Sequence, residues 1–183
     1  MGHQIQPPSR NQLTIQNAHE DAAYWLAPHL READLMELIV VHDGEYTNVG
    51  DLLAGSFGGD DGRVMTITSG DRVQALWGYG VWPEKTEWED EDGETVPKHP
   101  LAPNAYIWLV GTDELFDKYP FEMTRRFTKK ILPALLEVYG SVGNFVMAAN
   151  EVHLNWLKSC GFKCYAYEEI NGEEFHLMVK TNV

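Results

Sequence analysis

Residues 150–162 read Asn-Glu-Val-His-Leu-Asn-Trp-Leu-Lys-Ser-Cys-Gly-Phe, and their reading governs everything around them. Asn150 is a strong N-cap residue, able to accept a hydrogen bond from a free N–H of a first helical turn. Residues 151–159 predict a short helix, and Gly161 is its C-terminal stop. Immediately upstream, residues 144–148 predict a strand. Immediately downstream, residues 163–169 and 174–180 predict a hairpin about Asn171-Gly172, the best hairpin-turn signal in the chain.

Working back from this segment, residues 105–110 predict a buried strand. Residues 124–139 predict a helix with Phe127, Ile131, Leu132, Leu135, Leu136 and Tyr139 on one face. Pro133 inside it predicts a kink, and residues 113–123 predict an irregular connector. Nearer the N-terminus, residues 12–16 alternate as a strand does. Residues 19–41 show apolar spacing of three and four, broken at Pro28 into two helical pieces. Asp34 falls at the start or in the first turn of the second piece, and Asp43-Gly44 ends it. Residues 47–56 predict another helix with Thr47 as its cap. Residues 64–68 and 73–82 predict a hairpin, in which Gly78 and Gly80 signal a bulge or a close backbone approach. Residues 1–10 predict a loose polar tail, leaving 11–183 as a single domain.

The resulting order of strands and helices predicts an α/β fold with a mixed central sheet flanked by helices. The length of 183 residues suits one domain. No apolar run approaches the roughly 20 residues of a membrane span. The net charge of −14 disfavours nucleic acid and anionic membranes as partners. The acid-rich, Pro-containing stretch 84–103 predicts a solvated loop insertion, since dense like charges repel. Two cysteines, Cys160 and Cys164, form neither a disulfide framework nor a zinc-ligand set and predict reduced thiols.

With this order of elements, residues 150–162 resemble the GNAT (acyl-CoA N-acyltransferase) signature: an Asn, a short helix with an aromatic, then Gly-Phe. A narrower likeness rests on Leu30-Arg31-Glu32-Ala33-Asp34, Trp108-Leu109-Val110-Gly111-Thr112-Asp113, and Asn150 with Trp156-Leu157 and Gly161-Phe162. It resembles GNAT-like proteins encoded near the structural genes of tailed bacteriophages, some described as internal virion or morphogenesis proteins. The resemblance implies two neighbouring strands that splay apart so that the pantetheine arm of acetyl-CoA lies between them. Trp108, Leu109, Val110, Gly111 and Thr112 would form one wall, with Asn150 and Trp156 beside it. It further implies a phage or host protein as partner, or an amine substrate, and a place in the host-cell cytoplasm or with the virion.

The chain departs from that pattern twice. Acyltransferases of this family bind the pyrophosphate on a Gly-rich turn, and between Thr112 and Tyr139 there is no glycine. Asp113, Glu114 and Asp117 would repel phosphate there. Arg125 and Arg126, with Lys129 and Lys130, either hold a phosphate by charge or form an exposed helix face. The family's Tyr acid is matched by Leu157, which has no proton to give. Asn150 has two readings, a contact to CoA or a plain helix cap, and Trp156 reads as packing. Asp113, Glu114 and His99 are the nearest candidates for a general base, and His153 reads as a surface or interface residue. Asp34 and Glu32 read as salt-bridge partners. The expectations are therefore a GNAT-fold protein with a degenerate acyl-CoA site working through protein contacts, or an active acetyl-CoA-dependent N-acetyltransferase.

Overall fold

The computed structural model describes residues 12–44, 48–57, 63–82 and 101–182, and the backbone of 85–89 and 95–97. The first three strands are β1 (Leu13–Asn17), β2 (Arg63–Ser69) and β3 (Arg72–Val81), the last buried on both faces from Gln74 to Gly78. They pair antiparallel in sequence, with a register shift between Ile67 and Thr68. Gly78 and Gly80 lie opposite Trp108 and Tyr106, and a Cβ at either would come within 2.6 Å and 2.5 Å of those rings. They therefore mark close approach, and the bulge of this strand falls elsewhere, at Gln74 between Val73 opposite Thr68 and Ala75 opposite Ile67.

Between β1 and β2 the chain forms α1 (Asp21–Leu26), a 3-10 turn carrying Pro28 (Ala27–His29), α2 (Glu32–Val41) and α3 (Val49–Gly55). Asp34 lies in the first turn of α2, which is followed by Asp43 and Gly44 at positive φ. Asn48 caps α3 by accepting from the Asp51 N–H at 2.8 Å; Thr47, the expected cap, lies outside the described residues, as do residues 1–11.

The acid-rich stretch contains structure where a loop was expected. β4 (Lys85–Glu89) and β5 (Thr95–Pro97) pair antiparallel as a separate two-stranded ribbon. β6 (Ala105–Gly111) returns to the main sheet. The expected connector is helical as well: Thr112 caps α4 (Asp113–Lys118), and Pro120 opens α5 (Pro120–Arg126). A wide π turn (Phe127–Ile131) follows, in which the Leu132 N–H bonds the Phe127 carbonyl five residues back. It runs directly into α6 (Leu132–Tyr139), whose second residue is Pro133. Proline has no N–H to offer the preceding turn, so the register widens just before it.

β7 (Ser141–Met147), α7 (Glu151–Ser159), β8 (Lys163–Ile170) and β9 (Glu173–Thr181) complete the chain. Asn171 and Gly172, both at positive φ, turn the last hairpin. The seven-stranded sheet has the order β1-β2-β3-β6-β7-β9-β8, and β6–β7 is its parallel pair. One face packs Ile67, Ala75, Ile107 and Leu109 against Phe127, Leu135 and α7. The other packs Leu76, Trp108 and Val110 under α1 and α3. Among the described residues no helix is long and apolar enough to cross a membrane, and both cysteines are free thiols.

Candidate cofactor site between two diverging strands

β6 and β7 pair only through Ala105–Val142 and Tyr106–Gly143. On its other edge β6 pairs with β3 from Ala105 to Gly111, and β7 pairs with β9 from Ser141 to Met147. The two strands thus share a vertex and then diverge, which leaves main-chain groups of β6 without a strand partner. Gly143 holds the vertex tight: a Cβ there would meet the Met178 carbonyl oxygen at 2.5 Å.

The opening is filled from both faces. From the α7 side, Trp156 packs edge-on against Phe127, with ring centroids 5.0 Å apart, and against Phe116 at 6.4 Å. The space left among Ile107, Leu109, Asn144, His153, Trp156 and Leu157 is about 10 Å³, room for one water at most. Leu157, where the family places its acid, is buried.

From the α2 side a buried polar network spans the gap. The Asp34 carboxylate accepts the Gly111 N–H at 2.9 Å, at the end of β6. Glu37 accepts the Met147 N–H at 3.2 Å, at the end of β7. Asn150 joins them, its amide donating to Asp34 at 3.0 Å and to Glu37 at 3.1 Å. Its carbonyl oxygen accepts from Arg31 at 3.1 Å and from the His153 N–H at 3.4 Å. The Arg31 guanidinium pairs with Asp34 at 3.5 Å and lies 4.3 Å from the centre of the Phe116 ring. The Arg31 N–H takes the Gly111 carbonyl at 3.0 Å, so both main-chain groups of Gly111 are engaged. Arg31, Asp34 and Asn150 are each at most 4% exposed.

Burial sets the titration of this cluster. Desolvation raises the Asp34 carboxyl against the pull of Arg31 and its hydrogen bonds. Desolvation lifts Glu37 to about 7, partly offset by its bond from Asn150 and reinforced by neighbouring Asp34. His153 is driven down to about 3 by burial and by the Arg31 charge, and so is neutral near pH 7. Beside Asp34, Glu37, Leu109 and Asn144 a cavity of about 110 Å³ remains, enough for a few waters.

The turn after β6, where the resemblance would place a pyrophosphate, is built in a different way. Thr112 accepts the Leu115 N–H at 3.3 Å and donates to Gln74 at 2.7 Å. Asp113 and Glu114 occupy the first turn of α4. Thus the positive end of the helix dipole faces its own carboxylates, with no glycine to bring backbone close to an anion.

The residues expected to hold the cofactor are scattered. Gly111 and Asn150 are joined through Asp34 on the α2 side of the slot, Leu109 and Trp156 line its α7 side, and the Trp108 ring turns over Gly78. Arg126 is drawn away, bonded to Glu122 at 2.7 Å, which also accepts the Leu13 N–H at 3.2 Å. Arg125 borders an open groove between α5 and α7 with Phe116, Phe121, Lys129, Val152 and Trp156, about 520 Å³ in volume. Asn150 is both a cap and a bridge. Asp34 forms the expected salt bridge, whereas Glu32 is exposed. His153 is a correction: it is 3% exposed, held between Phe116 and Trp156, and is not a surface residue. His99 lies outside the described residues.

Sequence assigns no site role to Arg31, Glu37 or Phe116. The signal for Glu37 was available: it interrupts the otherwise apolar run Leu35 to Val41, and Asp34 lies three residues before it on the same helix face.

No family model matches this sequence, and no curated protein matches it. Solved structures do. AAC(6')-Ib in complex with ribostamycin and coenzyme A is 10% identical over 93% of this chain and 94% of that one, with a TM-score of 0.60. Ribosomal-protein-S5-alanine acetyltransferase from Vibrio fischeri is 11% identical over 93% of each chain, TM-score 0.58. Spermidine N-acetyltransferase from Vibrio cholerae, in complex with CoA and spermine, is 12% identical over 93% of this chain and 95% of that one, TM-score 0.57. At such identities the likeness is one of fold: the chain has the fold of the GNAT N-acetyltransferases.

Proposed function

We propose that this chain is a GNAT-fold protein whose acyl-CoA slot is closed from within, and that it acts through protein contacts. A role in virion morphogenesis, as in the phage proteins its sequence resembles, is the particular form we favour. The observation that carries the proposal is the buried bridge from Gly111 through Asp34, Asn150 and Glu37 to Met147. It spends the main-chain N–H at the open end of β6 on a side chain of the protein itself, and Trp156 and Phe127 fill the opposite face. A pantetheine arm would have to break these bonds and displace these rings, each at a desolvation cost. An acetyl-transfer assay tests it: the folded chain should release no thiol from acetyl-CoA with spermidine, an aminoglycoside or a peptide amine. Turnover above the uncatalysed rate with any of them contradicts it.

A second reading, an acetyl-CoA-dependent N-acetyltransferase acting on an amine, is favoured by Glu37. A carboxyl lifted to about 7 beside the slot is matched to proton abstraction near neutral pH. Arg125 and Lys129, at the aromatic groove between α5 and α7, would then replace the missing glycine turn as phosphate ligands. Under this reading Asn150→Ala weakens CoA binding, and unchanged affinity removes Asn150 from the site.

A further inference from the structure

The sheet carries an uncovered face away from the slot. Along β1 and β2, Leu13, Ile15 and Ile67 point into the core, so Thr14, Gln16, Thr66 and Thr68 point the other way. The helices on that side pack toward β3 and β6. Thr14 and Gln16 are exposed and Thr68 half-buried on the floor of an open cleft of about 1030 Å³, beneath which Thr66 and Gln74 are buried. One wall is α1 and the turn after it, with Trp25 and His29; the other is the β2–β3 turn and the start of α4, with Asp71, Asp113 and Glu114.

We infer that this face docks an extended, Lys- or Arg-bearing segment of a partner protein. Three features select that occupant. First, Trp25 is 71% exposed, and an indole face is the best aromatic receptor for an ammonium or guanidinium. Second, the charges facing the cleft leave a negative balance. Glu114 is engaged by Arg72 at 3.4 Å and Lys118 at 2.8 Å, and His19 by Asp21 at 3.3 Å. Asp71 has no cationic partner among the described residues, and the Asp113 side chain is 80% exposed despite lying 3.7 Å from Arg31. Third, the accessible floor side chains Thr14, Gln16 and Thr68 both donate and accept, which suits a peptide main chain better than an apolar surface would. The overall charge of −14 steers cationic segments to this protein at long range. The inference rests on the protein-contact reading; acetyl transfer by the chain would end that reading while leaving the docking face to be judged on its own titration.

The probe is an octalysine peptide titrated into the full chain at low salt, with octaglutamate alongside. Trp25→Ala and Asp71→Asn, both at exposed positions, are compared with Glu137→Gln on the far side of the sheet, and circular dichroism confirms the fold of each. The inference expects saturable octalysine binding, none of octaglutamate, and about a threefold or greater loss of affinity in each cleft variant, with Glu137→Gln close to the parent. No octalysine binding, or an equal loss in all three variants, overturns it.

Discussion

The Asp34 carboxylate accepts the main-chain N–H of Gly111 at 2.9 Å, joining the first turn of α2 to the end of the strand that would line an acyl-CoA slot. These residues lie 77 positions apart in sequence. Through Asn150 the same carboxylate is coupled to Glu37 and so to the end of β7. Helix α2 therefore holds the two diverging strands by their open ends, much as Gly143 holds them at the vertex.

If that bridge is structural, removing its centre should be costly. Asp34→Ala leaves the buried Arg31 with only the exposed Asp113, 3.7 Å away, as a counter-charge and the Gly111 N–H without its acceptor. A loss of about 3–5 kcal/mol is expected in urea unfolding. Asp34→Asn keeps an acceptor and should lose less. Equal, sub-kilocalorie effects from both would show that the bridge contributes little.

Glu37 makes stability depend on pH. Its folded-state value of about 7 lies above the ordinary 4.5, so the folded chain holds its proton more tightly than the unfolded one. Its contribution is fully present below about pH 4.5 and is lost as pH rises to about 7, amounting to at most about 3 kcal/mol. Relative to the parent, Glu37→Gln should therefore gain stability progressively across that window. Denaturant midpoints from pH 4 to 8 measure it; parallel curves would contradict the assignment.

His153 has the opposite sign. Its folded value of about 3 lies below the ordinary 6.5, so the unfolded chain takes up the proton first. Stability supported by neutral His153 is present above pH 6.5 and lost as pH falls toward 3. Compared with His153→Leu, the parent should lose ground steadily below pH 6.5. A constant difference between the two across pH 3–7 would mean that His153 is charged or exposed in the folded protein.

Gly143→Ala tests the vertex. The new Cβ would meet the Met178 carbonyl oxygen, which is backbone and cannot swing aside, and Pro103 at 2.9 Å. A loss of about 3 kcal/mol or more is expected. Gly172→Ala, with nothing within 4 Å but a φ of +83°, should cost only the strain of the left-handed turn, about 1 kcal/mol. Thermal unfolding of the pair ranks them; a milder effect at Gly143 would place the strand contact elsewhere.

The last third of the fold was legible because its signals are local. Asn150 as cap, Gly161 as stop and Asn171-Gly172 as turn each act within a few residues, and each appears where sequence places it. What was not legible depends on pairing between distant segments. Glu37 meets Asn150 across 113 positions, and no periodicity in α2 names that partner. His153 was misread although the spacing 153, 156, 157, 160 puts it on one helix face with Trp156, Leu157 and Cys160, all buried. The start of α4 was also readable, as Thr112 followed by Asp113 and Glu114 is a capped and acid-primed first turn. The ribbon β4–β5 was hidden by the charge of its segment, which says nothing about backbone pairing.

The closed slot is tested most directly by calorimetric titration of acetyl-CoA into the folded protein. No saturable heat is expected up to millimolar ligand, for the parent and for Asn150→Ala alike. A one-to-one isotherm at micromolar affinity, weakened by Asn150→Ala, would contradict the closed slot and show that α2 yields its hold on β6 and β7 to the cofactor.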